Sequence, residues 1–328
     1  MRLALGFNPV VSVAGMAKLA KSAESLGYDS LWMHESLFQR DVVTYLGFMA
    51  SATTKLRLGS GAINTYTRHP VAAAATFATL AESSGGRIAL GLGVGSFPTI
   101  PLIGHQIFPV AKNRPLRRVK EYIEVVRKVW SGEKVEFKGE FFEVHGLSLG
   151  FKPEGTIPLF VASLSPMTQA YAGRTADGAI LSPALSTVGG TTAMVANVER
   201  GEKVRGKCIE RASYILASVD PDPRKAVEAV RDYYFFVYQL AEVVKPETLE
   251  PFGVSKESLE PMKAAWKRGD VAEAKRLVPE AAIEALSAAG GKEHVAERVS
   301  EYVRAGVTLP IVMPIGNVDH AMAALAPG

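Results

Sequence analysis

Eight short apolar runs separated by longer amphipathic stretches limit what this chain can fold into more than any other feature. The runs fall near 3–7 (LALGF), 30–33 (SLWM), 56–61 (LRLGSG), 87–92 (RIALGL), 158–162 (PLFVA), 178–181 (GAIL), 212–218 (ASYILAS) and 309–313 (LPIVM). Between them, stretches such as VAGMAKLAKSAESLG and LRRVKEYIEVVRKVWSG place apolar residues at three- and four-residue steps, the helical period. Strand–helix alternation of this kind predicts parallel strands joined by crossover helices. Eight repeats of it predict a closed α/β barrel, the (β/α)8 or TIM fold. A chain of 328 residues, 48% of them hydrophobic, can fill one such domain over 1–328.

Two stretches exceed the basic plan. EKVEFKGEFFEVHG, 133–146, alternates polar and apolar residues around Lys138-Gly139, which predicts a β-hairpin laid over the barrel. The stretch from about 240 to 290 contains PETLEPF, SKESLEPMKAAWKRGDVAEAKRL and PEAAIEALSAAGG, helical segments punctuated by Pro and Gly, and predicts a helical insertion near the barrel mouth.

Composition removes several classes of function. Cys208 is the single cysteine, so neither an intrachain disulfide nor a thiolate metal cluster can form, and a reducing cytoplasm is the expected location. The six histidines are scattered without a metal-ligand spacing, so no metal is expected. Net charge is only +4, with no basic stripe interleaved with aromatics, which argues against nucleic acid as a partner. No run approaches the ~20 apolar residues of a membrane helix, and the N-terminal stretch lacks an export pattern. The expected partner is a small-molecule substrate.

In a barrel of this type the chemistry sits at the C-terminal strand ends. That directs attention to Asn8, Glu35, Gly61 to Asn64, Gly93 to Ser96, Ser163 to Met167, Ser182 and the Pro314 region. After the third run comes GSGAINTYTRHP, two glycines in three residues, which trades side-chain packing for backbone freedom. LGLGVGS at 90–96 does not match G-x-G-x-x-G. It fits either a tapered strand end or a close approach of backbone to a flat ligand. In SLSPM, Pro166 falls in the first turn of a helix. Free N–H groups there, with the Ser163 and Ser165 hydroxyls, suit a phosphate, although an ordinary capped helix has the same pattern. WMHES puts Glu35 beside His34 at a strand end, as a general base, a partner for a ring or a paired rim charge. Arg114 and Arg117, near the start of the long helix, are candidates for neutralising an anion.

The order and spacing of GSGAINTYTRHP, LAESSGGRIALGLGVGS, NRPLRRVKEYIEVVRKVWSGEKVEFKGEFFEVHGLSL, IPLFVASLSPMTQAYAGRTADGAIL and AERVSEYVRAGVTLPIVMPIG resemble the luciferase-like family of flavin and deazaflavin oxidoreductases. Within it, GSGAINTY and GVTLPIVMPIGN look most like the methylenetetrahydromethanopterin reductases that use coenzyme F420. The resemblance implies a bulged third strand with a non-prolyl cis peptide at Gly61-Ala62 supporting the cofactor ring. It places Glu35, Asn64 and Ser96 along the polar edge of that ring, with Glu35 as the acid or base. It also implies that Ala162, Ser163, Leu164, Ser165, Pro166 and Met167 bind the cofactor, with Ser163 to Met167 holding its phosphate.

The activity so implied is hydride transfer between C5 of F420 and an organic substrate such as methylenetetrahydromethanopterin, in a cytoplasmic homodimer. Two alternatives stand beside it: an FMN-dependent monooxygenase on the same scaffold, and a non-catalytic cofactor-binding member. The pattern departs from the reductases at two positions. Gly6 replaces an acidic residue at the end of the first strand, and Glu35-Ser36 replaces an Asp-His pair after the second.

Overall fold

A computed structural model describes residues 2–36, 38–95, 100–103, 114–182 and 185–327. Among these, eight parallel strands close into a barrel: β1 (Ala4–Phe7), β2 (Ser30–Met33), β3 (Arg57–Ser60), β5 (Ile88–Gly93), β8 (Leu159–Ala162), β9 (Gly178–Ile180), β10 (Glu210–Val219) and β12 (Leu309–Ile315). Closure runs from β9 to β10 and from β12 to β1. The fold is a TIM barrel. All eight strands lie within or around the expected runs.

Helices joining the strands show the local signals that start and stop them. α1 (Val13–Ser25) begins at Ser12, whose hydroxyl accepts from Gly15 N, a side-chain N-cap. α2 (Val42–Ala52) is capped in the same way by Asp41. α3 (Pro70–Ser84) has Pro at its first position and ends on Gly85 at φ 63°, the left-handed stop that glycine adopts without a Cβ penalty. α4 (Pro115–Trp130) and α5 (Pro166–Thr175) also start on proline. α6 (Val188–Arg205) packs closely on α5, because a Cβ at Gly173 would lie 2.1 Å from the Val198 carbonyl oxygen, and one at Gly201 2.0 Å from that of Ala170.

The hairpin is present as β6 (Val135–Lys138) against β7 (Glu143–Leu147), antiparallel, with 139–142 as its turn. It is tied to α4 by the buried Glu121, whose carboxylate accepts from Glu140 N at 3.0 Å and Phe141 N at 2.8 Å.

The helical region differs from expectation at both ends. After α7 (Pro223–Arg231) it begins at α8 (Tyr234–Glu242), earlier than 240. It continues through α9 (Lys256–Lys267), α10 (Val271–Arg276) and α11 (Glu280–Leu286). Its expected last residues are not helical. Ala288–Gly290 form β11, parallel to Ala217–Val219 of β10. Three small residues after a helical run carry no strand period, so only pairing with the long β10 reveals them. α12 (Lys292–Arg304) and α13 (Val318–Ala324) complete the chain.

Two packed cores follow from strand alternation. Leu5, Leu31, Met33, Leu58 and Leu90 face the surrounding helices. Trp32, Phe160, Tyr214, Leu216, Ile311 and Met313 fill the barrel interior, in one cluster with Phe236, Leu240 and Leu259 from α8 and α9. The helical region therefore buries its apolar face on the interior core. No helix among the described residues is long and apolar enough to cross a membrane.

Candidate active site

The third strand is broken in register. Gly59 pairs with Ala89, while Ile63 of the short β4 (Ile63–Asn64) pairs with Leu92 of the same β5. Four steps along one strand thus oppose three along the other, a bulge of one residue. The Gly61–Ala62 peptide within it is cis, and Gly61 N donates to the Met33 carbonyl at 2.7 Å.

The two glycines of GSG make room for rings. A Cβ at Gly59 would lie 2.5 Å from Trp32, and one at Gly61 only 1.9 Å from the Tyr214 hydroxyl. Tyr214, from β10, reaches across the interior and also lies under Gly6, where a Cβ would meet its ring at 2.4 Å. Beyond the bulge, a Cβ on Gly93 would lie 3.8 Å from that of Ala62 and 3.6 Å from that of Ala162. Three strand ends therefore meet at a patch with almost no side-chain bulk.

Glu35 and His34 leave β2 in opposite directions. The Glu35 carboxylate accepts from Asn64 N (3.1 Å), Asn64 Nδ2 (2.6 Å), Thr67 Oγ1 (3.2 Å) and Arg68 Nε (3.4 Å). Burial pushes its pKa up, against the Arg68 charge and these hydrogen bonds. Asn64 is equally committed, since its Oδ1 accepts from Tyr66 N and Thr67 N. Arg68 also pairs with Asp41. Glu35 and Asn64 are thus brought together, and their polar atoms serve the 64–68 loop.

His34 is buried with its ring 4.1 Å from that of Tyr214, tilted by 32°, and 5.8 Å from that of Phe235 on α8. Its Nδ1 lies 3.0 Å from Asn8 Oδ1, and Asn8 Nδ2 donates to the Tyr233 hydroxyl at 2.8 Å. With the Asn8 amide so oriented, Nδ1 carries the ring proton and Nε2 the lone pair. Nε2 and the Tyr214 hydroxyl are both buried without a partner. Tyr214 and Tyr233 escaped the sequence reading. Only the alternation Ala212, Tyr214, Leu216 within the seventh run hinted that this ring faces inward.

Burial pushes the His34 pKa down to about 4, so the ring is neutral at pH 7. The unfolded chain, with a histidine pKa of ~6.5, then binds the extra proton between the two values. Stability from this ring is therefore complete above pH ~6.5 and lost as pH falls toward 4, on the order of 3 kcal/mol. Urea unfolding of wild type and His34→Gln between these limits checks it. The wild type loses the extra stability on acidification, and parallel pH dependences would contradict the burial account.

At the end of β8, Ala162 and Ser163 are buried while Leu164 and Met167 are exposed. Ser163 Oγ accepts from Ser165 N at 3.0 Å, and no side chain caps the start of α5 at Ser165 and Pro166. Arg114 pairs with Glu140 and Arg117 with Glu121, so neither cation is held in reserve for an anion. Ser96 lies outside the described residues. Among those described, no group of three or more His, Cys, Asp or Glu could hold a metal.

A bulged third strand, small residues at three strand ends and an uncapped helix start lie together at the C-terminal rim of the barrel, a combination that suits a flat ligand with an anionic tail. The chain belongs to the luciferase-like monooxygenase family, whose model matches residues 6–309. Among individual proteins it is similar to the 5,10-methylenetetrahydromethanopterin reductase of Archaeoglobus fulgidus, 30% identical over 324 residues, covering 96% of this chain and 94% of that one. It is also similar to the F420-dependent glucose-6-phosphate dehydrogenase of Mycobacterium avium, 30% identical over 66% of this chain and 68% of that one. The solved coenzyme F420 dependent tetrahydromethanopterin reductase from Methanopyrus kandleri superposes with a TM-score of 0.89 at 27% identity, covering 99% of this chain and 97% of the other.

Proposed function

We propose that this chain is an oxidoreductase that binds coenzyme F420 across the C-terminal strand ends and exchanges a hydride with a small organic substrate. The observation that carries the reading is end-to-end likeness to an F420-dependent reductase. The residues suit the group. Ala62, Gly93 and Ala162 leave a floor low enough for a tricyclic ring. Ser163, Ser165 and the uncapped N–H groups of the first turn, which begin at Met167 because Pro166 has none, suit its phosphate. When bound, F420 supplies a hydride donor or acceptor at C5.

The protein's part in this reading is alignment. Gly61 and Ala62 support the ring, Ala162 and Leu164 border it, and Ser163 to Met167 hold the phosphate. Glu35 and Asn64 act as positioning residues, bonding the bulge to the 64–68 loop. Methylenetetrahydromethanopterin, named for the archaeal relatives, is one organic acceptor that fits the class. A homodimer in the cytoplasm belongs to the same proposal, and sedimentation of the purified protein tests the pairing.

Fluorescence titration with F420 and with FMN tests the cofactor. F420 is expected to bind with a Kd of about 1 μM or tighter, ~8 kcal/mol, and FMN at least about tenfold more weakly. Tight FMN binding with no affinity for F420 would overturn the reading in favour of a flavin monooxygenase.

A further inference from the structure

The loop that leaves β8 is held from behind by a row of side-chain amides. Gln169, 2% exposed at the start of the second turn of α5, folds back over the helix start, the direction in which a helical Cβ is tilted. Its Nε2 donates to the Ser163 carbonyl at 2.9 Å. Its Oε1 accepts from Asn197 Nδ2 of α6 at 2.8 Å, and Asn197 Oδ1 accepts in turn from the Arg200 guanidinium. The helices come close enough for this because Gly173 and Gly201 stand where their backbones meet, one turn on from Gln169 and Asn197 along the same faces. An amide carries both a donor and an acceptor and can face either way, whereas a guanidinium only donates. Arg200 therefore draws Asn197 Oδ1 to itself, which turns Nδ2 to Gln169 and Gln169 Nε2 to the loop. Every dipole in the row has its positive end toward Ser163, and hydrogen bonds aligned in this way polarise one another. An ordinary helix start spends a side-chain oxygen on its first N–H groups. Here the Ser163 hydroxyl is taken by Ser165 N, no side chain caps α5, and Gln169 presents a donor rather than an acceptor. Donors are left over at the end of β8, the arrangement that an anion completes.

We propose that Gln169 and Asn197, oriented by Arg200, are positioning residues that set this loop for the phosphate ester of the cofactor and so make the site selective for the phosphorylated ligand. The inference rests on the cofactor reading above and adds to it residues that act without touching the ligand. Gln169 fixes the Ser163 carbonyl and, with it, the path of the chain into the first turn of α5. Asn197 keeps Gln169 from turning its oxygen toward that carbonyl, where two acceptors would face one another. Arg200, exposed on α6, sets the sense of the whole row from the surface.

The test compares two ligands that differ only in the phosphate: the deazaflavin riboside, which is the ring with its ribityl chain, and its 5′-phosphate. In fluorescence titrations Gln169→Leu is expected to bind the phosphate form about tenfold more weakly than wild type, the scale of one lost hydrogen bond, and the riboside within about twofold. Asn197→Leu and Arg200→Met leave the Gln169 donor in place but free to turn, and are expected to weaken the phosphate form about threefold with the riboside again unchanged. Both positions are less buried than Gln169, so they carry the test if the Gln169 variant does not fold. Phosphate-form affinity within about twofold of wild type in every variant, or equal losses for the two ligands, overturns the proposal and leaves the cofactor reading standing. Loss confined to Gln169→Leu overturns the part given to Asn197 and Arg200. The same titrations with riboflavin and FMN separate the two readings. A protein that binds neither deazaflavin but tells FMN from riboflavin through Gln169 overturns the choice of cofactor and keeps the relay, and one that binds none of the four ligands overturns both.

Discussion

Replacing Glu35 by alanine is expected to lower the unfolding free energy by about 3 kcal/mol, the scale for removing one partner from a buried, hydrogen-bonded charge pair. The carboxylate is 9% exposed and takes four donors from three residues of the loop after the bulge. Without it, the Asn64 N–H and Nδ2 and the Thr67 hydroxyl lose their acceptor, while Arg68 keeps Asp41. The damage therefore centres on Asn64, which ties β4 to the loop. Glu35→Gln keeps one acceptor oxygen and should lie between the two. Urea unfolding followed by circular dichroism measures all three proteins. An alanine variant within about 1 kcal/mol of wild type would show that the loop holds itself and that Glu35 is free for another task.

A second large effect concerns Gly61 and Tyr214. Gly61→Ala places a Cβ 1.9 Å from the Tyr214 hydroxyl, and the ring cannot retreat, because Gly6 on the opposite side is itself only wide enough without a Cβ. Overpacking at such a site costs about 1–3 kcal/mol. Tyr214→Phe alone removes a buried, unpartnered hydroxyl and should leave stability within about 1 kcal/mol of wild type. Combined, the two changes should recover part of the loss, with a coupling of about 0.5–3 kcal/mol. Thermal unfolding of the two single variants and the double variant completes the cycle. Additive losses would mean that the glycine is needed for something other than the tyrosine.

These expectations divide along the line between what a one-dimensional pattern holds and what it does not. The runs at 30–33, 87–92 and 309–313 are short, largely apolar and bounded, so strand identity follows from length and composition alone. Pro70 and Pro166 mark helix starts because proline loses nothing at a first helical position. GSG announced a backbone irregularity at the third strand, and the bulge lies there. Ala288–Gly290 gave no such notice, being three small residues after a helix.

For the site, two neighbouring residues of one motif part ways in the structure. Glu35 drew attention as the carboxylate, with His34 a residue away. The barrel turns His34 toward the axis and Glu35 toward the loop. Tyr214 was one aromatic within an apolar run, and its proximity to Gly6 and Gly61 joins residues more than 150 positions apart.

Alone, the sequence determined that this chain is a β/α barrel, because strand and helix periods and helix starts are local properties, and the order of its motifs carried the resemblance to the luciferase-like family. Tertiary structure decided which of two adjacent residues looks inward and which distant ring meets it. Barrel strands are buried on both faces, so apolar residues alternate with apolar residues and the two sides read alike until closure gives one of them an interior.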